Sequence, residues 1–254
     1  MTFAFRPRLW LGALCAAAVM TVSASAQTSP AQKEEFEKII REYLLKNPEV
    51  IQEAIVELRK RQEQAEIKAR SEALKTQRET LFNSPRGIVI GNPKGNVTLV
   101  EFFDYNCGYC KKALGDVNEL LKNDPNIKIV LKELPILSEG SEEAARVAVA
   151  VRLQDPSKYL AFHRALLGGR GEANLQRALA AAQQAGLDVE RIKKDLTNPE
   201  VEATLKENAA LAQALAISGT PTYVLGDQLI PGALPYNRLV VAIAAVRKCG
   251  KVEC

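Results

Sequence analysis

Cys107 and Cys110, in the run Cys107-Gly108-Tyr109-Cys110, are the side chains whose type and spacing point to chemistry. Thiol–disulfide exchange needs one cysteine that is thiolate near neutral pH and a second that resolves the mixed disulfide. A helix N-terminus favours the anion, because its first N–H groups are unpaired and it carries about half a positive charge. Placed there, Cys107 is the nucleophile. Cys110, one turn further and more buried, is the resolver. Lys111 and Lys112 oppose the helix dipole locally but add positive potential. An isolated C-x-x-C run is also half a zinc site or an inert disulfide. A zinc site needs a full tetrahedral ligand set, and the sequence offers no second local pair at finger spacing. Neither a metal nor a cofactor is expected beyond a redox-active Cys107–Cys110 disulfide.

Three other positions carry two readings each. Glu101, six residues before Cys107, is either a strand-end charge or a buried acid that moves protons below the thiols. Thr220-Pro221 is either an ordinary trans turn or a constrained loop after Ser218-Gly219. His163, the sole histidine, reads as a helix-surface or packing residue rather than a catalytic one. Cys249 and Cys254 form a second close pair. Close pairs close small loops and constrain the unfolded chain little, so the pattern points to chemistry for at least one pair.

The elements that must position these residues follow from periodicity and turn signals. Ile88–Ile90 is a short strand candidate, and Val97–Phe103 reads as a buried strand, β-branched and aromatic. The C-x-x-C run follows at once and opens a helix through Leu121. Residues 127–131 form another strand, and a helical block fills about 138–216. Strand chemistry returns at Thr222–Leu225, Gly226-Asp227 signals a hairpin, and Pro235–Arg247 is a last helix. The order predicts an α/β fold with the cysteine pair at the carboxyl end of a parallel strand, where such sheets place their chemistry.

Ahead of this domain, residues 27–82 are charged and helical in pattern. Phe36, Ile40, Tyr43 and Leu44 form one apolar stripe. Asn47-Pro48 reads as a helix start, with Asn47 as N-cap. Ile51, Ile55, Leu58, Gln62 and Ala65 then recur at coiled-coil spacing, thinning to Ile67, Leu74 and Leu81. A stripe this narrow packs on the globular domain or on copies of itself. Its approach to a seam favours self-association. The domain boundary falls at Asn83-Ser84-Pro85.

Arg6 and Arg8, the apolar run Leu9–Val22 and Ala24-Ser25-Ala26 read as a secretory signal peptide over residues 1–26, cleaved after Ala26. Cys15 leaves with it. No other stretch is apolar enough to span a bilayer, so the mature chain is expected to be soluble. Losing Arg6 and Arg8 leaves 32 of the 34 basic residues against 30 acidic ones, a balance that argues against nucleic acid as a partner. Export puts the remaining cysteines where disulfides persist.

Val100 to Lys111, Lys132-Glu133-Leu134-Pro135-Ile136-Leu137 and Ser218-Gly219-Thr220-Pro221-Thr222-Tyr223 together resemble three segments of the DsbA-like proteins of the thioredoxin superfamily. The resemblance covers about Ile88 to Arg247. It implies a thioredoxin fold with an inserted helical domain, preceded here by a helical stalk. It implies a cis Pro221 facing the Cys107–Cys110 pair, with Thr220 beside it holding substrate backbone. It moves Glu101 toward the buried-acid role. The best-known oxidases of that family carry Pro-His between the cysteines, where this chain has Gly108-Tyr109. No imidazole is therefore available to support strong oxidation.

The stalk with Asn47-Pro48-Glu49-Val50-Ile51, followed by the CGYC run, is similar to the ScsC proteins and the related outer-membrane Com1 group. That likeness implies a periplasmic homotrimer built on residues 27–82 that shuffles disulfides, with a link to copper tolerance. Cys249 and Cys254 fall outside the shared pattern and read as a small structural disulfide. The expected function is a periplasmic disulfide isomerase or reductase. Its substrates would be disulfide-containing client proteins, and its redox partner a membrane thiol reductase. The alternatives are a monomeric DsbA-like dithiol oxidase and a Cu(I)-binding protein that uses Cys107 and Cys110 as soft ligands.

Overall fold

Ser29 opens the first element, and the computed structural model describes residues 29–254. The expected signal peptide lies outside the described residues. The Ser29 hydroxyl accepts the Gln32 N–H, and the Gln32 side chain accepts the Ser29 N–H in return. This capping box, with Pro30 at the first helical position, starts α1 (Pro30–Lys46). No residue of α1 is buried. α1 stops at Asn47, whose N–H and side-chain amide both donate to Tyr43 O. Asn47 therefore caps the end of α1 and not the start of the next helix. Pro48 lacks an N–H, and α2 (Glu49–Thr76) begins one residue later than expected.

The described residues divide into two compact units, split between Lys60 and Arg61. Within the second, α2 ends at Thr76 and a short helix α3 (Arg78–Asn83) follows. Next come β1 (Ile88–Gly91), β2 (Val97–Phe103), α4 (Gly108–Asn123) and β3 (Ile127–Glu133). Five helices then intervene: α5 (Glu139–Gln154), α6 (Tyr159–Leu167), α7 (Leu175–Gln184), α8 (Val189–Asp195) and α9 (Pro199–Ala214). The chain closes with β4 (Thr222–Leu225), β5 (Gln228–Pro231) and α10 (Tyr236–Cys249).

The strands form one sheet in the order β1-β3-β2-β4-β5. β2 and β3 are parallel, and every other pairing is antiparallel. β2 is central and buried on both faces, which explains its near-continuous apolar run. One face carries Leu99, Phe103, Ile129, Leu131 and Leu225 into the larger core with residues of α4, α6 and α10. The other carries Val100, Phe102, Val130 and Val224 against Leu211 and Leu215, with Leu74 and Leu81. Leu81 is 0% exposed. The end of the expected stalk stripe is thus part of this unit's core. Among the described residues no helix is long and apolar enough to cross a membrane.

Candidate active site

β2 ends at Phe103, and the next four residues turn the chain into α4. Asp104 is buried, and its carboxylate accepts N–H groups from Asn106 at 2.7 Å, Ile136 at 2.9 Å and Leu137 at 3.2 Å. The Ser141 hydroxyl donates to it at 2.7 Å. Asn106 in turn donates to Ser141 Oγ and Ala173 O and accepts the Ala173 N–H. The turn is thereby tied to the end of β3 and to the helical insertion. Neither Asp104 nor Asn106 stood out in the sequence, although an Asp that caps the N–H two residues on is a turn signature.

Cys107 is the N-cap of α4. Its Sγ accepts the Cys110 N–H at 3.3 Å and lies 3.1 Å from Thr220 O, to which the thiol donates. The helix start therefore directs one of its free donors, the Cys110 N–H, at this sulfur. Both cysteines are free thiols, Cys107 6% exposed and Cys110 0%. Burial pushes the Cys110 thiol far up, and the nearby Cys107 and Glu101 push it the same way. Gly108 and Tyr109 are exposed at the helix start, and Lys112 Nζ stands over the Tyr109 ring at 5.4 Å. Lys111 turns away to Gly171 O.

The Thr220–Pro221 peptide bond is cis, with Thr220 half-buried and Pro221 buried. Pro221 O accepts the Gly232 N–H, and Thr222 Oγ1 donates to Gly219 O. The loop so held delivers Thr220 O to Cys107. A proline at this position removes an N–H donor from the backbone that faces the sulfur.

Glu101 is 4% exposed and sits opposite Tyr223 in the β2–β4 ladder. Burial raises its carboxyl to about 8. The Tyr223 phenol beside it lowers this in part, without a hydrogen bond of ordinary geometry. Of its two sequence readings, the geometry fits the buried acid. Glu133 ends β3 on the same face and is a second buried acid, missed in the sequence though its signal matches that of Glu101. Its carboxylate accepts the Tyr159 hydroxyl at 2.6 Å and the Asn208 amide at 3.3 Å, and burial raises it. Tyr105 OH lies 3.3 Å from both Tyr159 OH and His163 Nδ1. His163 is a packing residue: it is buried, its ring meets Phe103 edge-on, and burial holds it down at about 3.

The arrangement combines a thiol at a helix terminus, a shielded second thiol, a buried acid and a backbone carbonyl beside the first sulfur. Two thiols so placed are equipped for dithiol–disulfide exchange. Among the described residues no group of three or more His, Cys, Asp or Glu is placed to hold a metal ion. Cys249 and Cys254 are joined as a disulfide.

Comparison with known proteins shows the family of the chain. The family model described as a DSBA-like thioredoxin domain matches residues 98–244, and the copper resistance protein ScsC N-terminal domain matches residues 32–65. A thioredoxin-like oxidoreductase from Silicibacter pomeroyi is similar at 48% identity and a TM-score of 0.65, over 68% of this chain and 98% of that one. A linker-deletion mutant of Proteus mirabilis ScsC is similar at 28% identity and a TM-score of 0.66, over 89% of this chain and 99% of that one. Among curated proteins, a Na(+)/H(+) antiporter NhaA 1 from Salinispora arenicola is 28% identical over 160 residues, 63% of this chain. The chain spans only 24% of that antiporter's length. The family match covers more than half of the sequence and includes the strand, both cysteines and the cis-proline loop. The chain belongs to the DSBA-like family of thiol–disulfide oxidoreductases.

Proposed function

We propose that the chain works as a protein disulfide isomerase and reductase, with Cys107 as nucleophile and Cys110 as resolver. The observation that carries this reading is the placement of Cys107 Sγ, between the Cys110 N–H in the first turn of α4 and Thr220 O. The Cys107 thiolate attacks one sulfur of a client disulfide. A Cys107–client disulfide forms, and the client's other sulfur leaves as a thiolate. In isomerisation a client thiolate later displaces Cys107. In reduction Cys110 loses its proton and attacks Cys107 Sγ, which closes the Cys107–Cys110 disulfide and frees the client as a thiolate that takes up a proton. Gly108 and Tyr109 form the exposed rim of the site, and Thr220 and Pro221 meet the client backbone. No cofactor takes part beyond the cysteine pair.

The same reading places the protein in the periplasm after cleavage behind Ala26, as a homotrimer built on residues 27–82. Its clients are disulfide-containing proteins, and a membrane thiol reductase keeps it reduced. Support for assembly comes from apolar side chains exposed in the single chain: Phe36 56%, Ile40 56%, Leu45 73% and Ile55 45%. The ScsC N-terminal match lies over the same segment.

The test is refolding of a scrambled-disulfide ribonuclease alongside oxidation of the reduced enzyme. The proposal expects faster recovery of activity from the scrambled form, lost in Cys107→Ser. Faster oxidation of the reduced form, with no shuffling, favours the dithiol oxidase instead.

A further inference from the structure

The second cysteine pair differs from the first in the properties that govern exchange. Cys249 ends α10, Cys254 follows with a sequence separation of 5, and the two are bonded. Both are exposed, whereas Cys107 and Cys110 are buried. Exposed disulfides are the ones an incoming thiolate can open. A bond that closes so short a loop takes little entropy from the unfolded chain, so the fold depends on it weakly. Gly250 turns the chain off the helix with φ 80°, and only Val252 of the closed loop packs on the core. Lys248 and Lys251 flank the pair in sequence, Glu253 lies between Lys251 and Cys254, and Arg247 is paired with Asp124, so local charge does not close the pair to a thiolate.

The position of the pair is fixed by Arg247, which donates to Asn96 Oδ1 at 2.9 Å and Asp124 Oδ2 at 2.6 Å. Those residues precede β2 and β3. The end of α10 therefore sits where the parallel strands begin, and Cys107 lies beyond where they finish. β2 spans 7 residues, which is about 20 Å of strand. Within one copy the two cysteine pairs stand at opposite ends of the sheet and do not meet.

We propose that Cys249–Cys254 is a second redox centre, reduced by the Cys107–Cys110 dithiol of another copy. The Cys107 thiolate of the donor attacks one sulfur of the pair. The S–S bond breaks, an inter-copy disulfide forms, and the other sulfur leaves as a thiolate that takes up a proton. Cys110 of the donor then loses its proton and attacks Cys107 Sγ, releasing the second acceptor sulfur. One dithiol becomes a disulfide and one disulfide becomes a dithiol, with two electrons moved. Each chain thus carries a standing oxidant for the active sites of its neighbours. This rests on Cys107–Cys110 being the working dithiol.

The experiment uses two full-length variants. The donor is reduced Cys249→Ser/Cys254→Ser, and the acceptor is Cys107→Ser/Cys110→Ser with its remaining disulfide intact. They are mixed without other thiols, quenched by alkylation and weighed by mass spectrometry. The expected result is a shift of two alkyl groups onto the acceptor, matched by their loss from the donor. Adding Cys110→Ser to the donor should trap a covalent heterodimer. Insulin reduction by the same donor runs in parallel. A donor that reduces insulin yet leaves the acceptor disulfide closed overturns the second centre and keeps the first. A donor that reduces neither overturns both.

Discussion

Cys107 and Cys110 differ in what surrounds their sulfurs. Cys107 accepts an N–H from the helix start, and Cys110 is wholly enclosed and pushed up by burial. Limiting alkylation of the reduced protein should therefore label Cys107 first, and faster labelling of Cys110 reverses the roles. Cys107→Ser should abolish insulin reduction. Cys110→Ser should accumulate client-linked adducts on non-reducing gels, because nothing resolves them. Glu101 makes a separate prediction through pH. Folded, it keeps its proton to about 8, while the unfolded chain releases it near 4.5. Between those values the folded state binds the extra proton, so the stability that Glu101 lends is present below the window and is lost as pH rises through it. Glu101→Gln has no such proton. Its advantage over the parent should grow from pH 4.5 to 8, to a few kcal/mol in order of magnitude. Urea melts at several pH values measure this, and a difference flat in pH would exclude it. The cysteine pair stood out because its spacing follows a buried strand and opens a helix, a context that the spacing alone does not supply. Glu101 stayed ambiguous because alternation along a strand does not tell what lies above each face. Glu133 and Asp104 were not singled out, since their partners Tyr159 and Ile136 are distant in sequence and meet them only in the fold.

The strands that carry the site were readable as elements. β2 and β3 announce themselves as short runs rich in β-branched and other apolar residues, and α4 begins where the cysteine run demands a helix. The ends of helices were less readable. Asn47 suits an N-cap or a C-cap equally by type, and its amide went to Tyr43 O. Leu74 and Leu81 continue the helical period of the seam, and period alone does not separate a face that meets its own copy from one that meets a sheet. They meet the sheet. Leu81→Ala should therefore lower unfolding free energy by about 2–5 kcal/mol. Leu58→Ala, at a position 55% exposed in the single chain and outside the unit of residues 61–254, should leave the unfolding of that unit little changed. Chemical denaturation of both variants checks this, and equal effects would place Leu81 outside the core.

At the scale of the whole molecule, the unit of residues 61–254 holds every residue of the exchange site. Deleting residues 27–60 keeps Leu74 and Leu81 in place, which a cut at 82 would not. The shortened protein should run as a folded monomer and reduce insulin like the parent, but lose isomerisation. Several nucleophiles on one scaffold raise the local thiolate concentration around a client, and this loss removes that gain. A full-length protein that runs as a monomer at micromolar concentration would sink the assembly. A shortened one that isomerises normally would separate assembly from function. The Asp104 carboxylate adds one more consequence. It fastens Asn106, Ile136, Leu137 and Ser141 together beside Cys107, so the platform that meets a client is already rigid before contact. The entropic cost of fitting then falls on the client chain. A nearly finished protein resists that adjustment, and a slack or misjoined one yields to it. Under the proposed function, the enzyme would sort its clients by how far they have folded, without reading their sequence.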